Sequence, residues 1–319
     1  MNRREFLKGA AWTGATALAG GCATVCGGEG FDDHLSVFIS DLHIGGVKHE
    51  LDYTQPRLQK TIDAILAMRP LPRRVVCFGD IAMSWGLAED YAVSKPMLKR
   101  LESAGIELHL TLGNHDRRSC FFREWPEHLE KPAVPGRCTR VVDLGGCDLV
   151  LLDTLKGADD RDLRDMGPVE GTIDDAQLAW FEKFVVEAKR PFFVGSHQYR
   201  DLYVEGETPT RRAAKSPYFA GWIYGHDHAW CTDIAVGSWK NNVVVPILAL
   251  PSTGLWGDIG YVTFRTDAAG ATASLFQDEF FFQTPAAYKA RPAWWDVRTK
   301  ENNGRKTRFA FGFAKPAKV

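Results

Sequence analysis

The chain has 319 residues, of which 45% are hydrophobic and 25% are charged. These values exclude a disordered chain and a disulfide-stapled miniprotein, and they predict one large or two small globular domains. The formal net charge of −1 conceals an uneven distribution, since residues 1–21 carry +2, residues 22–286 carry −10 and residues 287–319 carry +7. The acidic body disfavours nucleic acid as a partner, and its clustered carboxylates are candidate metal ligands.

The N-terminal residues read as a targeting segment. The pair Arg3-Arg4 is followed by Phe6-Leu7-Lys8 and then by a short stretch rich in Ala, Gly and Thr. This pattern resembles the twin-arginine export signal of bacteria, and the apolar stretch is too short for a permanent membrane helix. The resemblance implies that twin-arginine export machinery carries the protein, already folded, to the periplasm or cell envelope. We therefore expect residues 1–21 to be a signal peptide.

Two cleavage sites fit the end of this segment. Ala17-Leu18-Ala19 has the small-x-small pattern of an ordinary signal peptide, whereas Ala19-Gly20-Gly21-Cys22 resembles a lipoprotein site. The second interpretation places a lipid anchor on Cys22, and we favour it slightly. Both outcomes leave the protein exported, with or without attachment to a membrane.

The body of the chain, residues 33–284, alternates short apolar runs with amphipathic stretches. Runs rich in Val, Ile and Phe predict strands at 35–40, 74–79, 106–113, 140–144, 149–153, 192–196, 221–224, 243–250, 260–265 and 271–276. Helical periodicity predicts helices at 55–68, 87–104 and 174–189. The alternation in the first half and the excess of strands in the second half predict an α/β sandwich with mixed sheets and helices outside.

Ionisable side chains follow several of these predicted strands. Because ligand sites form at the carboxyl ends of strands in α/β sheets, the clustering predicts one shared cavity. Residues separated by one position project to the same side of an extended chain, and imidazole with carboxylate suits Fe, Mn or Zn. Glycines precede three of the motifs and permit close approach of the backbone to an ion. The motifs are Asp41-x-His43, Gly79-Asp80, Gly113-Asn114-His115-Asp116, Ser196-His197 and Gly225-His226-x-His228.

Taken together, these motifs resemble the calcineurin-like metallophosphoesterase superfamily. The segment after the last motif is similar to its bacterial cyclic-nucleotide-phosphodiesterase-like branch. The resemblance implies a four-layer α-β-β-α sandwich of two mixed β-sheets flanked by helices, with two divalent or trivalent metal ions (Mn, Fe or Zn) at the strand ends. It assigns Asp41, His43 and His228 to one metal, Asn114, His197 and His226 to the other, and Asp80 to a bridge between them. His115 would be the catalytic imidazole, and Asp116 would orient it.

The implied function is an exported dinuclear-metal phosphoesterase that hydrolyses a phosphate monoester or diester by attack of a metal-bridging hydroxide. The alternative is a cell-envelope binding lipoprotein in which the metal site is only structural. Four tryptophans lie near the motifs, and Trp85 and Trp230 are the better candidates for stacking on a substrate, with core packing as the alternative. Arg212 lies in a polar loop and is a candidate phosphate contact, with a solvated loop as the alternative.

The C-terminal segment, residues 285–319, mixes Lys and Arg with aromatic residues. This composition allows two interpretations, which are binding to an anionic surface and packing back on the acidic body. The seven cysteines contain no CxxC pair, so a zinc ribbon is not expected. Cys77 lies in an apolar run and is predicted to be a buried thiol. Pairing among Cys120, Cys138 and Cys147 stays open.

Overall fold

The computed structural model describes residues 30–45, 53–156, 170–199, 202–203, 208–236, 244–281 and 307–313. The predicted signal peptide, its cleavage sites and Cys22 lie outside the described residues. The helices are α1 (Thr54–Leu66), α2 (Ala88–Ser103), α3 (Arg118–Glu124), α4 (Asp175–Glu187) and α5 (Pro209–Ala213), with a 3-10 turn at Pro126–Leu129. The strands are β1 (Phe31–Ile39), β2 (Leu71–Phe78), β3 (Glu107–Thr111), β4 (Arg140–Asp143), β5 (Asp148–Leu151), β6 (Gly171–Thr172), β7 (Phe192–Ser196), β8 (Leu202–Tyr203), β9 (Phe219–Tyr224), β10 (Cys231–Val236), β11 (Val244–Ala249), β12 (Gly257–Thr266), β13 (Gly270–Phe281) and β14 (Arg308–Gly312).

Most of the described strands form two mixed sheets. Sheet 1 has the order β14-β13-β12-β1-β2-β3, and sheet 2 has the order β10-β11-β9-β7-β5-β4. In sheet 1, β1, β2 and β3 are mutually parallel, while β12, β13 and β14 add antiparallel neighbours. In sheet 2, the central strands β5, β7, β9 and β11 are parallel, and β4 and β10 close the edges antiparallel. Parallel strands from both sheets therefore end on the side where the motifs lie.

The strand sequences explain how the layers stack. Successive side chains of a strand point to opposite faces, so a strand that is buried on both faces is apolar throughout. In β1, Val37 and Ile39 pack toward α1, α2 and α3, whereas Phe38 packs toward sheet 2. In β5, Leu149 faces sheet 1 and Val150 packs on the side of α4 and α5. The fold is therefore the expected α-β-β-α sandwich of two mixed sheets flanked by helices.

Every helix and strand predicted from the sequence is present, with ends shifted by a few residues. The pattern missed α3, α5, β6, β8, β10 and β14. The helices α3 and α5 have only seven and five residues, too few to show a helical period. Asp174 caps α4, since its side chain accepts a hydrogen bond from the backbone N–H of Gln177 at 2.9 Å.

The C-terminal strand β14 corrects the expected domain boundary at residue 284. It pairs antiparallel with β13 and forms an edge of sheet 1. Phe311 is buried between the sheets, and its ring centre lies 5.4 Å from that of Phe193. Residues 307–313 thus pack back on the body, which was one of the two interpretations of the basic segment. The domain includes residues on both sides of the expected boundary.

The cysteines in the described chain are free thiols, namely Cys77, Cys120, Cys138, Cys147 and Cys231. Cys77 is fully buried, as its apolar surroundings in the sequence predicted. Among the described helices, none combines the length and the apolar character needed to cross a bilayer.

Candidate metal centre

The predicted motifs occupy the loops at the carboxyl ends of β1, β2, β3, β7 and β9. The two sheets face each other across the core, so these loops converge at one end of the sandwich. The backbone N–H of His226, which follows β9, donates to both carboxylate oxygens of Asp41, which follows β1, at 3.2 and 3.1 Å. These hydrogen bonds join the two sheets at the site. Asp41, Asp80 and His197 are at most 1% exposed.

One group of donor atoms belongs to Asp41, His43 and His228. Their ligand atoms all lie within 4.8 Å of one another. Nε2 of His228 is 3.2 Å from Oδ1 of Asp41, and it is 3.4 Å from Nε2 of His43. The structure thus brings together the three residues that the resemblance assigned to one metal.

A second group belongs to Asp80, His197 and His226, again with ligand atoms within 4.8 Å. Nε2 of His197 lies 3.2 Å from Oδ2 of Asp80, 3.2 Å from Oδ1 of Asn114 and 3.3 Å from Nδ1 of His226. Oδ2 of Asp80 is also 3.6 Å from Nε2 of His43, a member of the first group. Asp80 therefore stands between the two groups, where a bridging ligand would stand.

The backbone partners of three imidazoles reveal which nitrogen carries the proton. Nδ1 of His43, His197 and His228 faces the carbonyl oxygen of Met83, Phe78 and Trp256, respectively, at 3.1, 2.7 and 2.9 Å. A carbonyl oxygen only accepts hydrogen bonds, so each Nδ1 carries a proton and a neutral ring turns its Nε2 lone pair toward the site.

Lone pairs and carboxylate oxygens therefore converge at the site with few protons among them. The two Nε2 atoms of His43 and His228 cannot hydrogen-bond to each other when both rings are neutral, although they lie 3.4 Å apart. When the rings are neutral, a buried set of acceptors of this kind is balanced by a cation, and imidazole with carboxylate suits Mn, Fe or Zn. The donor set fits the two metal ions that the motifs imply.

The pKa values of these groups reflect the same crowding. Burial would raise the pKa of Asp41, but the neighbouring His228 lowers it to about 2. Burial would lower the pKa of His197, but the carboxylate of Asp80 raises it to about 9. Burial lowers the pKa of His43 to about 3, which keeps this ring neutral and able to bind a metal. Burial would lower the pKa of His228, but the carboxylate of Asp41 raises it above its ordinary value.

The backbone at the site is unusual. Six non-glycine residues of the described chain have a positive φ between 47° and 65°, a region that β-carbon sterics disfavour. Five of the six belong to the motifs, namely Asp41, His43, Asp80, His226 and His228. Strained conformations persist where the surrounding structure over-determines them, and they cluster at functional sites.

The three glycines before the ligands permit close approach, as expected from the sequence. Gly79 has φ of +97°, and a β-carbon there would lie 2.7 Å from the backbone nitrogen of Gly113 and 2.8 Å from Nδ1 of His197. A β-carbon on Gly113 would overlap the carboxylate of Asp80, and one on Gly225 would overlap the hydroxyl of Ser40. Any side chain at these positions would push the loops apart.

His115 is half-buried beside the two groups, with a ring nitrogen within 4.8 Å of ligand atoms of His43 and Asp80. Its backbone N–H donates to Oδ1 of Asp80 at 2.8 Å. Its Nδ1 lies 3.1 Å from the carbonyl oxygen of Ser84, so this carbonyl holds the ring. The expectation that Asp116 orients the imidazole stays a prediction, and the Ser84 carbonyl is the partner that the ring has here.

Asp116 serves the loops. Its buried carboxylate accepts hydrogen bonds from the backbone N–H groups of Ile81, Ala82 and Gly113 at 3.2, 3.0 and 2.9 Å. The hydroxyl of Tyr91 donates to the same carboxylate at 3.0 Å. Burial and the nearby charge of Asp80 raise the pKa of Asp116 to about 6. Asp116 thus links the loop of Asp80 to the loop of Asn114 and His115.

The three candidate substrate contacts have different surroundings. Trp85 is 38% exposed and follows Ser84, so it stays a candidate for substrate contact. Trp230 is fully buried between the sheets, with its ring centre 5.1 Å from that of Phe309, which corrects its assignment as a stacking surface. Arg212 forms an ion pair with Glu182 of α4 in the outer helical layer, and its assignment as a phosphate contact stays a prediction.

The sequence did not single out Trp256 as a contact of the site, although the structure places it there. Its ring stacks on that of His228, with centres 4.5 Å apart and planes inclined by 23°, and its carbonyl accepts the Nδ1–H of the same residue. It packs in a small apolar cluster with Tyr53, Met83 and Leu255. In the sequence, Trp256 and Trp230 both lie a short way along the chain from a motif. The sequence therefore could not show which of them contacts His228.

Comparison with known proteins gives an independent view of the chain. The family model described as calcineurin-like phosphoesterase matches residues 36–230, a range that contains every predicted metal ligand. A dimetal phosphatase from Danio rerio has a similar fold, with a TM-score of 0.58 at 12% identity over 76% of this chain and 95% of that chain. At this identity the likeness shows the fold alone.

Two further solved structures are similar at lower scores. The protein TT1561 of Thermus thermophilus has a TM-score of 0.46 at 10% identity over 72% of this chain and 93% of that chain. A mutant of Vps29 from Entamoeba histolytica has a TM-score of 0.34 at 14% identity over 76% of this chain and 92% of that chain. The comparison with curated proteins finds no match.

Proposed function

The chain belongs to the calcineurin-like phosphoesterase family, as a metal-dependent phosphoesterase, and we propose that it is an exported hydrolase of a phosphate monoester or diester with two metal ions. The observation that carries the dinuclear site is the pair of donor groups that share Asp80. Asp41, His43 and His228 would hold one ion. Asn114, His197 and His226 would hold the other, and Asp80 would contact both.

Bound metal ions supply Lewis acidity, which lowers the pKa of water and neutralises phosphoryl oxygens. The protein's own residues do the rest. The carbonyls of Met83, Phe78 and Trp256 fix three imidazoles in the tautomer that presents Nε2. The loops hold the donors rigidly in place, so little reorganisation is needed when the substrate arrives.

His115 is the residue that we place against the leaving group. The carbonyl of Ser84 occupies its Nδ1, which leaves Nε2 as the nitrogen that can carry a proton toward a substrate oxygen. The half-buried position of the ring keeps it accessible. General acid catalysis of this kind contributes about 10²–10⁴-fold to a rate.

A substrate panel on metal-loaded protein tests the proposal. Chromogenic phosphate monoesters and diesters, extended to cyclic nucleotides and phospholipid head groups, should include at least one that is hydrolysed with Mn²⁺ and not with a chelator. His115→Ala should lower this turnover by about 10²–10⁴-fold. His34→Ala, at an exposed imidazole toward the opposite end of β1, should keep it. No turnover on any ester would favour the alternative of a binding lipoprotein with a structural metal site.

Export and the lipid anchor are separate parts of the proposal. Their support is the pair Arg3-Arg4 and the sequence Ala19-Gly20-Gly21-Cys22. Replacing both arginines by lysine should retain the protein in the cytoplasm. Cys22→Ala should move the mature protein from the membrane fraction to the periplasm, whereas the matched variant Cys26→Ala should leave it in the membrane fraction. A soluble wild-type protein would refute the anchor and leave export intact.

A further inference from the structure

A cleft of about 380 Å³ lies on the outer face of sheet 1. One wall is the turn after α1, with Arg69 and Pro70, and the floor is formed by β12, β13 and β14. Leu35, in the middle of β1, also lines it. Asp41 follows the carboxyl end of the same strand, so about 20 Å of extended chain separates Leu35 from Asp41. Because Phe38 is opposite Val262, the end of the cleft at Tyr261 lies closer to the level of the ligand loops.

The register of sheet 1 arranges polar groups in rows across the cleft floor. Thr263 of β12 is opposite Ser274 of β13, which is opposite Arg308 of β14. Arg265 is opposite Thr272 in the next row. Neighbouring strands are about 4.8 Å apart, so each row presents hydroxyl and guanidinium donors to one small region.

The charged side chains that line the cleft are basic, although the body of the chain is acidic. Its lining includes three arginines and no carboxylate. Arg265 donates to Asp32 at 2.6 Å, and Arg69 donates through Nη1 to the carbonyls of Leu66 and Met68, so both side chains are held in place. The side chain of Arg308 has neither a hydrogen bond nor an ion pair within the described part of the chain. A guanidinium in this setting is a ready partner for an anion.

A flat aromatic surface adjoins the arginine row. The rings of Tyr261 and Phe276 are parallel within 3°, with centres 5.1 Å apart. Tyr261 is 8% exposed and Phe276 is 49% exposed, so the phenylalanine is the accessible member of the pair. An exposed aromatic face supported from behind is a platform on which a planar ring can stack. Phe276 and Ser274 are two positions apart on β13, so about 7 Å separates platform and arginine row.

We propose that this cleft binds an anion that joins a phosphoryl group to a planar ring, as in a nucleoside monophosphate. The phosphoryl group would lie on Arg308 and the hydroxyls of Thr263 and Ser274, and the ring would stack on Phe276. The lining holds no histidine, carboxylate or cysteine, so the cleft is a binding site and not a second catalytic centre. The proposal stands on this surface alone and is independent of the phosphoesterase activity.

Equilibrium titration of the metal-loaded full-length protein tests the site. The probe is a phosphonate analogue of AMP, which has a carbon in place of the ester oxygen and cannot be hydrolysed at that bond. Arg308→Gln should weaken one binding event about tenfold or more, since hydrogen bonds to charged groups are among the strongest in proteins. Arg123→Gln, the same charge change at an exposed arginine of α3, is the matched control and should have no effect.

The two halves of the ligand are tested separately. Phe276→Ala should weaken the analogue about tenfold, because base stacking on an aromatic side chain contributes on that scale, and should leave inorganic phosphate binding unchanged. Asp80→Asn should leave the cleft event intact. Three results would overturn the proposal: no binding event sensitive to Arg308→Gln, loss of that event in Asp80→Asn, or equal affinity for the analogue and for inorganic phosphate.

Discussion

The hydroxyl of Tyr91 provides a sharp test of how the ligand loops are held. Tyr91 is fully buried, and its ring packs edge-on against Phe121 and Trp125. Its hydroxyl donates to Asp116 at 3.0 Å and accepts the backbone N–H of Arg117 at 2.9 Å. Since Asp116 fixes the loops of Asp80 and Asn114, Tyr91→Phe removes one support of the metal centre without changing the aromatic packing.

The magnitude follows from the two hydrogen bonds. A hydrogen bond to a charged group contributes about 1.5–3 kcal/mol, and a buried N–H left without a partner costs about 1–3 kcal/mol. Because such terms are not additive, we expect a loss of about 3–4 kcal/mol in the free energy of unfolding. At about 2–4 °C per kcal/mol for a chain of this size class, the Tm should fall by about 10 °C.

Calorimetry and metal titration measure the outcome. Tyr91→Phe should lower the Tm, weaken Mn²⁺ binding and reduce kcat more than it changes KM, because the substrate still meets the same surface. Phe121→Leu disturbs the same aromatic cluster without touching Asp116, so it should lower the Tm but preserve Mn²⁺ affinity. A wild-type Tm in Tyr91→Phe, or an equal loss of Mn²⁺ affinity in both variants, would refute the reasoning.

Four further outcomes are expected. His115→Ala should keep its metal content and lower kcat by about 10²–10⁴-fold, and a wild-type kcat would exclude a proton-transfer role. Asp80→Asn should lose metal by elemental analysis, whereas full occupancy would contradict a bridging carboxylate. Because the carboxylate of Asp80 outweighs burial and raises the pKa of His197 to about 9, metal must displace a proton from this ring. Mn²⁺ should therefore bind the metal-free protein more tightly at ~pH 8 than at ~pH 6 and release protons, and an affinity independent of pH would refute this. Trp230→Ala should cost about 3–5 kcal/mol of stability as a core truncation, while Trp85→Ala should raise KM with an unchanged Tm, and a lowered Tm in Trp85→Ala would show that it packs as core instead.

The sequence predicted most of the fold and the composition of the site because both follow from local patterns of residues. Runs such as Val75-Val76-Cys77-Phe78 are typical of strands buried between two layers, and five of the strands are followed by a motif. The parallel arrangement then brings the motifs together without further information. These features depend on the periodicity of apolar residues and on the order of the motifs along the chain, and both can be read from a single sequence.

The parts that were missed depend on contacts between distant residues. Asp116 and His115 are adjacent in sequence, yet their side chains have different partners, Tyr91 and Ser84. Trp230 and Trp256 are both near motifs, and only the pairing of β12 beside the site decides which one stacks on His228. No local sequence pattern distinguishes these partners, because the contacts form only when the two sheets assemble.

The left-handed backbone at five motif residues has a consequence for how the protein matures. At about 1 kcal/mol each, these conformations amount to about 5 kcal/mol, which is comparable with the net stability of a small domain. This conformational cost lowers the stability of the metal-free fold, and the free energy of ion binding offsets it. We expect Asp41→Gly to abolish metal binding; its relief of the backbone conformation is opposed by loss of the hydrogen bonds from His226 that join the two sheets. The protein therefore reaches its highest stability only after metal binding. Folding and metal binding are then consecutive steps of its maturation.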